Sequence, residues 1–402
     1  MDLGRPAKGD RVTVDGPPHA LTDSERAWLR VRDQLKRHRH ELAVAAAGQY
    51  PAATHVAGTP LLADPRWLPP VPIDLSEVDL QLVPDRPAGG LTGREPVSEA
   101  MRPLRRDGSR HDTYAAAVAT LAPPAVFANL PTYRLLEADL AGGRGRMVFR
   151  LGRYFDGLNV GEACAHEYAA HVLEGGGQPL RAAVGDPRDL TRRAANLAIS
   201  TLTLRLDRAA GTATFLLHLR DPAKVGHAGG LYQVIPAGIF QPAGPAPWNE
   251  RNDFDLWRSM VREFAEELGG EPEGHGSDLA PVDYAAWPFA ARLTRARAEG
   301  GVRVRVLGMG TDPLTFATDL LTVAVFDAPT FDAVFGARVD ANDEGQVLSA
   351  LDGATGTGIA FDQANVDRLT RREPMQAAGA ALLALAWRHR GVLLRDDPAQ
   401  TG

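Results

Sequence analysis

The stretch Arg262-Glu263-Phe264-Ala265-Glu266-Glu267-Leu268-Gly269-Gly270 constrains this chain more than any other. It closes a run that begins near Asp253, in which Trp257, Val261, Phe264 and Leu268 recur at steps of four, three and four. At about 100° per residue these four fall on one narrow apolar stripe, so the spacing predicts an amphipathic helix lying against a core. Glu263 and Glu267 lie one turn apart on another face, with Glu266 beside them. Asn252 or Asp253 is expected to cap the start, and the Gly269-Gly270 pair to end the helix. Three carboxylates this close repel one another unless they are solvated, paired with cations or bound to a metal. Hard divalent ions take oxygen ligands of this kind. A solvated helix face is the plainer alternative.

These residues resemble the signature helix of the Nudix hydrolases. That pattern is Gly, five residues, Glu, seven residues, then Arg-Glu-U-x-Glu-Glu-x-Gly-U, with U a bulky aliphatic. Arg262 to Gly269 match the second half, with Phe264 at an aliphatic position and Gly270 where the last aliphatic stands. Gly244 and Glu250 have five residues between them, but eleven rather than seven separate Glu250 from Arg262. At the family's spacing the glutamate position falls on Phe254, between Asp253 and Asp255, so the loop is remodelled. Val234-Ile235-Pro236-Ala237-Gly238 is similar to the strand end and Pro-Gly turn that precede the motif. The likeness covers residues 196 to 345. The texture from Leu217-His218-Leu219-Arg220 through Asp253-Phe254-Asp255-Leu256-Trp257 also resembles actinobacterial regulator-like proteins that carry a Nudix-like region.

The resemblance implies an α/β (α+β) fold, a Nudix-like α/β/α sandwich with a mixed sheet. It implies a metal-dependent hydrolase that cleaves a pyrophosphate linkage in a nucleoside diphosphate derivative. Glu263, Glu266 and Glu267 would be the ligands of Mg2+ or Mn2+, with Glu250, or Asp253, as the outer ligand. Arg262 would hold a carboxylate in place by a charge-assisted hydrogen bond. A bound divalent ion neutralises charge and lowers the pKa of an attacking water. His227, Tyr232, Trp287 and Arg292 are the candidate substrate contacts. The rival reading is a catalytically weak or inactive module of the same fold that senses a nucleotide-like small molecule. A scaffold with no small ligand is a third class, against which the acidic cluster beside a Pro-Gly turn argues.

Composition sets outer bounds. The chain has 402 residues, enough for two or three domains, and 44% hydrophobic residues can fill a substantial core. A net charge of −6 argues against a dominant nucleic-acid surface. Cys164 is the one cysteine, so no intrachain disulfide forms. No apolar run reaches membrane-span length and no apolar signal core opens the chain, so a cytoplasmic protein without membrane contact is expected. A homo-oligomer is left open.

The patterns divide the chain into four. Residues 1–110 read as a helix from a Thr22/Glu25 capping box to about Gly48, then a proline-rich segment that wraps on something. Residues 111–195 read as α+β, with strands at Tyr133–Leu136 and Arg146–Leu151 and a helix at Glu162–Leu173. The repeated strand, strand, helix order suggests a degenerate Nudix-like half. Its His166-Glu167 and His171 sit one residue too far apart for a His-Glu-x-x-His zinc site. Residues 196–345 form the Nudix-like region. Within it, Thr201–Leu206 and Thr214–Leu219 read as a hairpin, and the apolar Leu320–Phe326 as a central strand. Gly308-Met309-Gly310 and Gly353 to Gly358 read as glycine-rich loops. Residues 346–402 read as a C-terminal segment with a helix over Pro374–Arg390.

Overall fold

The structure, a computed structural model, describes residues 20–87, 89–124, 126–220, 230–272, 276–336, 345–348 and 358–395. The first helices are α1 (Asp23–Arg37) and α2 (Arg39–Ala47). Thr22 and Glu25 form the expected capping box, and the single expected helix is broken at His38. The proline-rich segment contributes β1 (Ile73–Asp74) and β2 (Val78–Leu82). Then follow α3 (Tyr114–Leu121), β3 (Pro131–Asp139), β4 (Gly145–Arg153), α4 (Tyr154–Glu174) and α5 (Pro179–Val184). The long β5 (Ala195–Asp207) leads to β6 (Thr212–Phe215), β7 (Leu217–Arg220), β8 (Tyr232–Val234) and β9 (Ala237–Ile239). Next come α6 (Asn249–Asn252), α7 (Leu256–Glu267), α8 (Pro288–Ala298), β10 (Val302–Thr311), β11 (Thr318–Asp327) and α9 (Ala328–Phe335). The described chain ends with β12 (Gly345–Leu348), β13 (Ile359–Ala360), α10 (Gln363–Arg371), α11 (Ala377–Arg388) and α12 (Arg390–Leu393).

The architecture is mixed α/β, as expected. One sheet runs β1-β10-β11-β5-β3-β4-β2, with β6 and β9 also on β5 and β13 on β6. The β5–β11 and β2–β4 pairs are parallel and the others antiparallel. β11 is central and buried from Thr318 to Phe326, as its nearly all-apolar run over Leu320–Phe326 predicts. The two ends of this strand order are β1 and β2, and only residues 75–77 join them. Four Cα steps span at most about 14 Å, so the sheet curls until its edges nearly meet. Strands from both sides of residue 196 share this sheet, and apolar side chains from both sides share one core, among them Tyr133, Phe149, Leu202, Phe264 and Leu321.

Three local expectations are corrected. The second hairpin strand breaks at Leu216: β6 pairs with β5, whereas β7 joins a separate sheet, β12-β7-β8. Gly308-Met309-Gly310 lie in β10, not in a loop. A Cβ on Gly310 would stand 2.4 Å from Leu61 Cδ2, so close packing rather than a turn requires that glycine. The C-terminal helix starts at Ala377, with Pro374 ahead of its first turn. Of the second glycine-rich stretch, residues 353–357 lie outside the described residues.

The helices α1 to α5 form a layer with its own apolar clusters, closed by Leu314 and Phe316 from the β10–β11 turn. Arg181 places its guanidinium 4.7 Å from the Phe316 ring and donates to the carbonyls of Leu314 and Pro313. Among the described residues, no helix is long and apolar enough to cross a membrane.

Candidate active site

The site is built on α7. Its N-cap is Asp255, whose side chain accepts from the Arg258 N–H at 2.8 Å, and not Asn252 or Asp253. Trp257, Val261, Phe264 and Leu268 all pack into the core, so the predicted stripe is the buried one. Phe264 contacts Phe326 and Phe335 edge-on and tilted. Gly269 and Glu271 donate back to the carbonyls of Phe264 and Ala265, and Gly270 takes the left-handed turn that ends the helix.

Arg262 is buried and serves the remodelled loop. Its Nη2 donates to the Gln241 carbonyl at 2.6 Å and its Nη1 to the Tyr284 hydroxyl at 2.5 Å. Tyr284 in turn donates to Asp253 Oδ1 at 2.8 Å. Burial opposes the Arg262 charge, but the Tyr284 oxygen and the Asp253 carboxylate outweigh it and hold the guanidinium above its ordinary value. Burial pushes the Tyr284 hydroxyl up. Asp253 is 0% exposed. Its Oδ2 accepts from the Ala243 N–H at 2.8 Å, and its Oδ1 also accepts from Asn252 Nδ2 at 2.9 Å. Both oxygens are thus engaged by neighbouring groups of the loop and by Tyr284. Glu250 is half-buried on α6, and its backbone carbonyl accepts from Tyr133 Oη at 2.9 Å.

Glu263 and Glu267 face the start of β9. Glu263 is half-buried and lies against Gly238: a Cβ there would stand 2.1 Å from the Glu263 carboxyl carbon. A side chain at 238 would require the end of the Glu263 side chain to shift. Glu267 is buried. Its Oε1 accepts from the Ala237 N–H at 2.9 Å, and its Oε2 stands 3.7 Å from His218 Nδ1. Glu266 is half-buried. Among the described residues, no three His, Cys, Asp or Glu side chains are gathered as a metal-holding group.

The candidate substrate contacts are scattered over several elements. His227 lies outside the described residues. Tyr232 sits in β8, where its backbone exchanges hydrogen bonds with Pro374 and Gln376. Trp287 caps α8 and donates from Nε1 to Glu271 Oε2 at 3.0 Å. Arg292 is exposed on α8. The sequence reading missed His218, whose signal was a polar residue inside the apolar run 215–219.

The His166-Glu167 pair is structural. His166 stacks on Trp28 with ring centroids 5.1 Å apart, and its Nδ1 meets the Tyr114 hydroxyl at 3.2 Å. Burial pushes His166 down to about 3. Glu167 accepts from the N–H groups of Leu180 and Arg181 at 2.9 and 2.8 Å, capping α5.

No known family model matches this sequence, and no curated protein does. Among solved structures, it is similar to a MutT/nudix family protein from Enterococcus faecalis at 13% identity and a TM-score of 0.27. The match covers 49% of this chain and 62% of that one, less than two thirds of its length. A likeness this faint carries no functional argument, which rests instead on the residues of α7.

Proposed function

We propose that this chain is a Nudix-like hydrolase that cleaves a pyrophosphate linkage in a nucleoside diphosphate derivative, at the α7 face bearing Glu263, Glu266 and Glu267. One observation supports this best. The residues that match the family's motif divide their labour: Arg262 is buried and locks the preceding loop, while Glu263 meets Gly238 of the Pro-Ala-Gly turn. A helix whose acids were only a solvated face would have no need of that close approach.

The proposed partner of these carboxylates is a magnesium or manganese ion, although no three acidic, His or Cys side chains are gathered to hold one among the described residues. Magnesium is commonly held by one or two carboxylates, with waters and substrate phosphates completing its shell, so an incomplete protein cage is no obstacle. Glu263, Glu266 and Glu267 would hold it, with Glu250 as the outer candidate. Such an ion supplies charge neutralisation at the pyrophosphate and a more acidic water. The chain's own contribution is positional. Asp253, Tyr284 and Arg262 fix the loop 241–253 against α7, and Ala237 fixes Glu267.

The nucleotide-sensing module remains a second reading, favoured by the engagement of Asp253 and Glu267 in protein contacts. A screen of nucleoside diphosphate derivatives with magnesium or manganese, reading released phosphate species, separates the two. Product formation that Glu263→Gln abolishes is the expected result. Tight nucleotide binding without product, unchanged in Glu267→Gln, would replace the hydrolase with the sensor.

A further inference from the structure

Residues 101–112 fold back on themselves and clasp the start of α1. An antiparallel bridge joins Leu104 to Arg110, and the Arg105 N–H donates to the Ser109 carbonyl at 2.7 Å across the turn. Three bonds tie this hairpin to α1. Thr22 Oγ1 donates to the Leu104 carbonyl at 2.7 Å, the Leu104 N–H to Ser24 Oγ at 2.9 Å, and Trp28 Nε1 to the Met101 carbonyl at 3.1 Å. Where hairpin meets helix, His111 is 1% exposed. Its two ring nitrogens face opposite charges. Nδ1 stands 3.4 Å from Arg105 Nη2, and Nε2 stands 3.5 Å from Glu25 Oε1. A guanidinium can only donate, so Nδ1 is the acceptor and the neutral ring carries its proton on Nε2. Among the described residues, that buried Nε2 has no hydrogen-bond partner. The Glu25 carboxylate is held by its other oxygen, which accepts from the Thr22 N–H at 2.8 Å in the α1 capping box. Burial first, and then the Arg105 charge, hold the imidazole below its ordinary value, while Glu25 and Asp112 act the other way.

We propose that His111 is a proton-operated switch in this clasp, holding Arg105 against the protein when neutral and expelling it when charged. A proton taken from solvent goes to Nδ1, the nitrogen that had accepted from Arg105. The ring then presents an N–H and a positive charge to a guanidinium that can neither accept a hydrogen bond nor lose its own charge. Arg105 must leave, and the ring turns to Glu25, whose contact becomes one between opposite charges. The neutral ring belongs to the closed clasp. Its contribution to stability is full above about pH 6.5 and is lost as pH falls through the folded-state value. The switch lies in the helical layer and does not depend on the hydrolase reading.

The test is NMR of the full chain with isotope-labelled histidine and arginine. At alkaline pH the ring of His111 should be the Nε2–H tautomer; an Nδ1–H tautomer would overturn the proposal. As His111 takes up its proton, the Arg105 guanidinium signals should pass from ordered to mobile at the same midpoint. Arg105→Gln removes the opposing charge, so His111 should titrate at a higher pH than in wild type. Glu25→Gln should move the midpoint to lower pH. His111→Asn keeps an acceptor near the Nδ1 position and takes up no proton, so Arg105 should stay ordered throughout. An unchanged midpoint in Arg105→Gln, or an Arg105 that stays ordered while His111 is charged, would overturn the switch. Glu25→Gln also loses part of the capping box. Should it fail to fold, Arg105→Gln, a change at a half-buried turn residue, decides alone.

Discussion

Gly238 sets how closely β9 can approach α7, because any side chain there meets the Glu263 carboxylate. Gly238→Ala should displace the end of the Glu263 side chain and cost about 1 kcal/mol or less, measured by urea denaturation. Turnover in the nucleoside diphosphate screen should fall with it; a Gly238→Ala protein of unchanged stability would show that Glu263 moves aside freely. His166 marks the other residue-scale sensitivity. Burial, and then the Arg32 charge, hold it at about 3 in the folded state against 6.5 ordinarily. The unfolded chain therefore binds a proton that the folded chain refuses. The stability from a neutral His166 is full above about pH 6.5 and is lost as pH falls toward 3, by at most about 1.4 kcal/mol per pH unit. Denaturation between about pH 7 and pH 5 should show this slope flattened in His166→Gln. An identical slope in both proteins would mean that other groups govern the acid limb.

At the scale of the element, α7 has one face for stability and another for chemistry. Phe264 is fully buried against Phe326 and Phe335, so Phe264→Ala should cost about 3–5 kcal/mol. Glu266 is half-buried, and Glu266→Gln should change stability by about 0.5 kcal/mol or less. Asp255→Ala should cost about 1 kcal/mol through loss of the N-cap. Chemical denaturation of the three variants checks the order. A Glu266→Gln protein less stable than Phe264→Ala would invert the assigned faces.

For the whole molecule, the curled sheet decides what can fold alone. β5 is flanked by β11 on one side and by β3 on the other, and residues 73–82 supply both edges. The helical layer is held just as closely. A Cβ on Gly161 of α4 would stand 2.3 Å from the Thr315 carbonyl in the β10–β11 turn. A fragment of residues 196–402 would expose the β5 edge and the buried face of that turn. It should fail to give a folded spectrum by NMR or a cooperative melt by circular dichroism. A cooperatively folding fragment would show that the Nudix-like region is autonomous despite the shared sheet.

Periodicity marked α7 and its apolar stripe, the Thr22/Glu25 spacing marked the capping box, and a nearly all-apolar run marked the buried β11. The motif spacing marked Arg262 and the three glutamates, since chemistry at adjacent turns is visible in one stretch of chain. Other features depended on residues far apart in sequence. The cap of α7 is Asp255 because Asp253 is drawn inward by Ala243, Asn252 and Tyr284. The break at Leu216 arises because β7 finds partners in β8 and β12 rather than in β5. The pairing of β1 with β10, and of β2 with β4, joins strands separated by more than two hundred residues in the first case. His218 meets Glu267 only once β7 and α7 are packed together. Local sequence sets which face of an element is apolar. Which distant strand or carboxylate that face then meets is a matter of packing, and only the tertiary structure decided it.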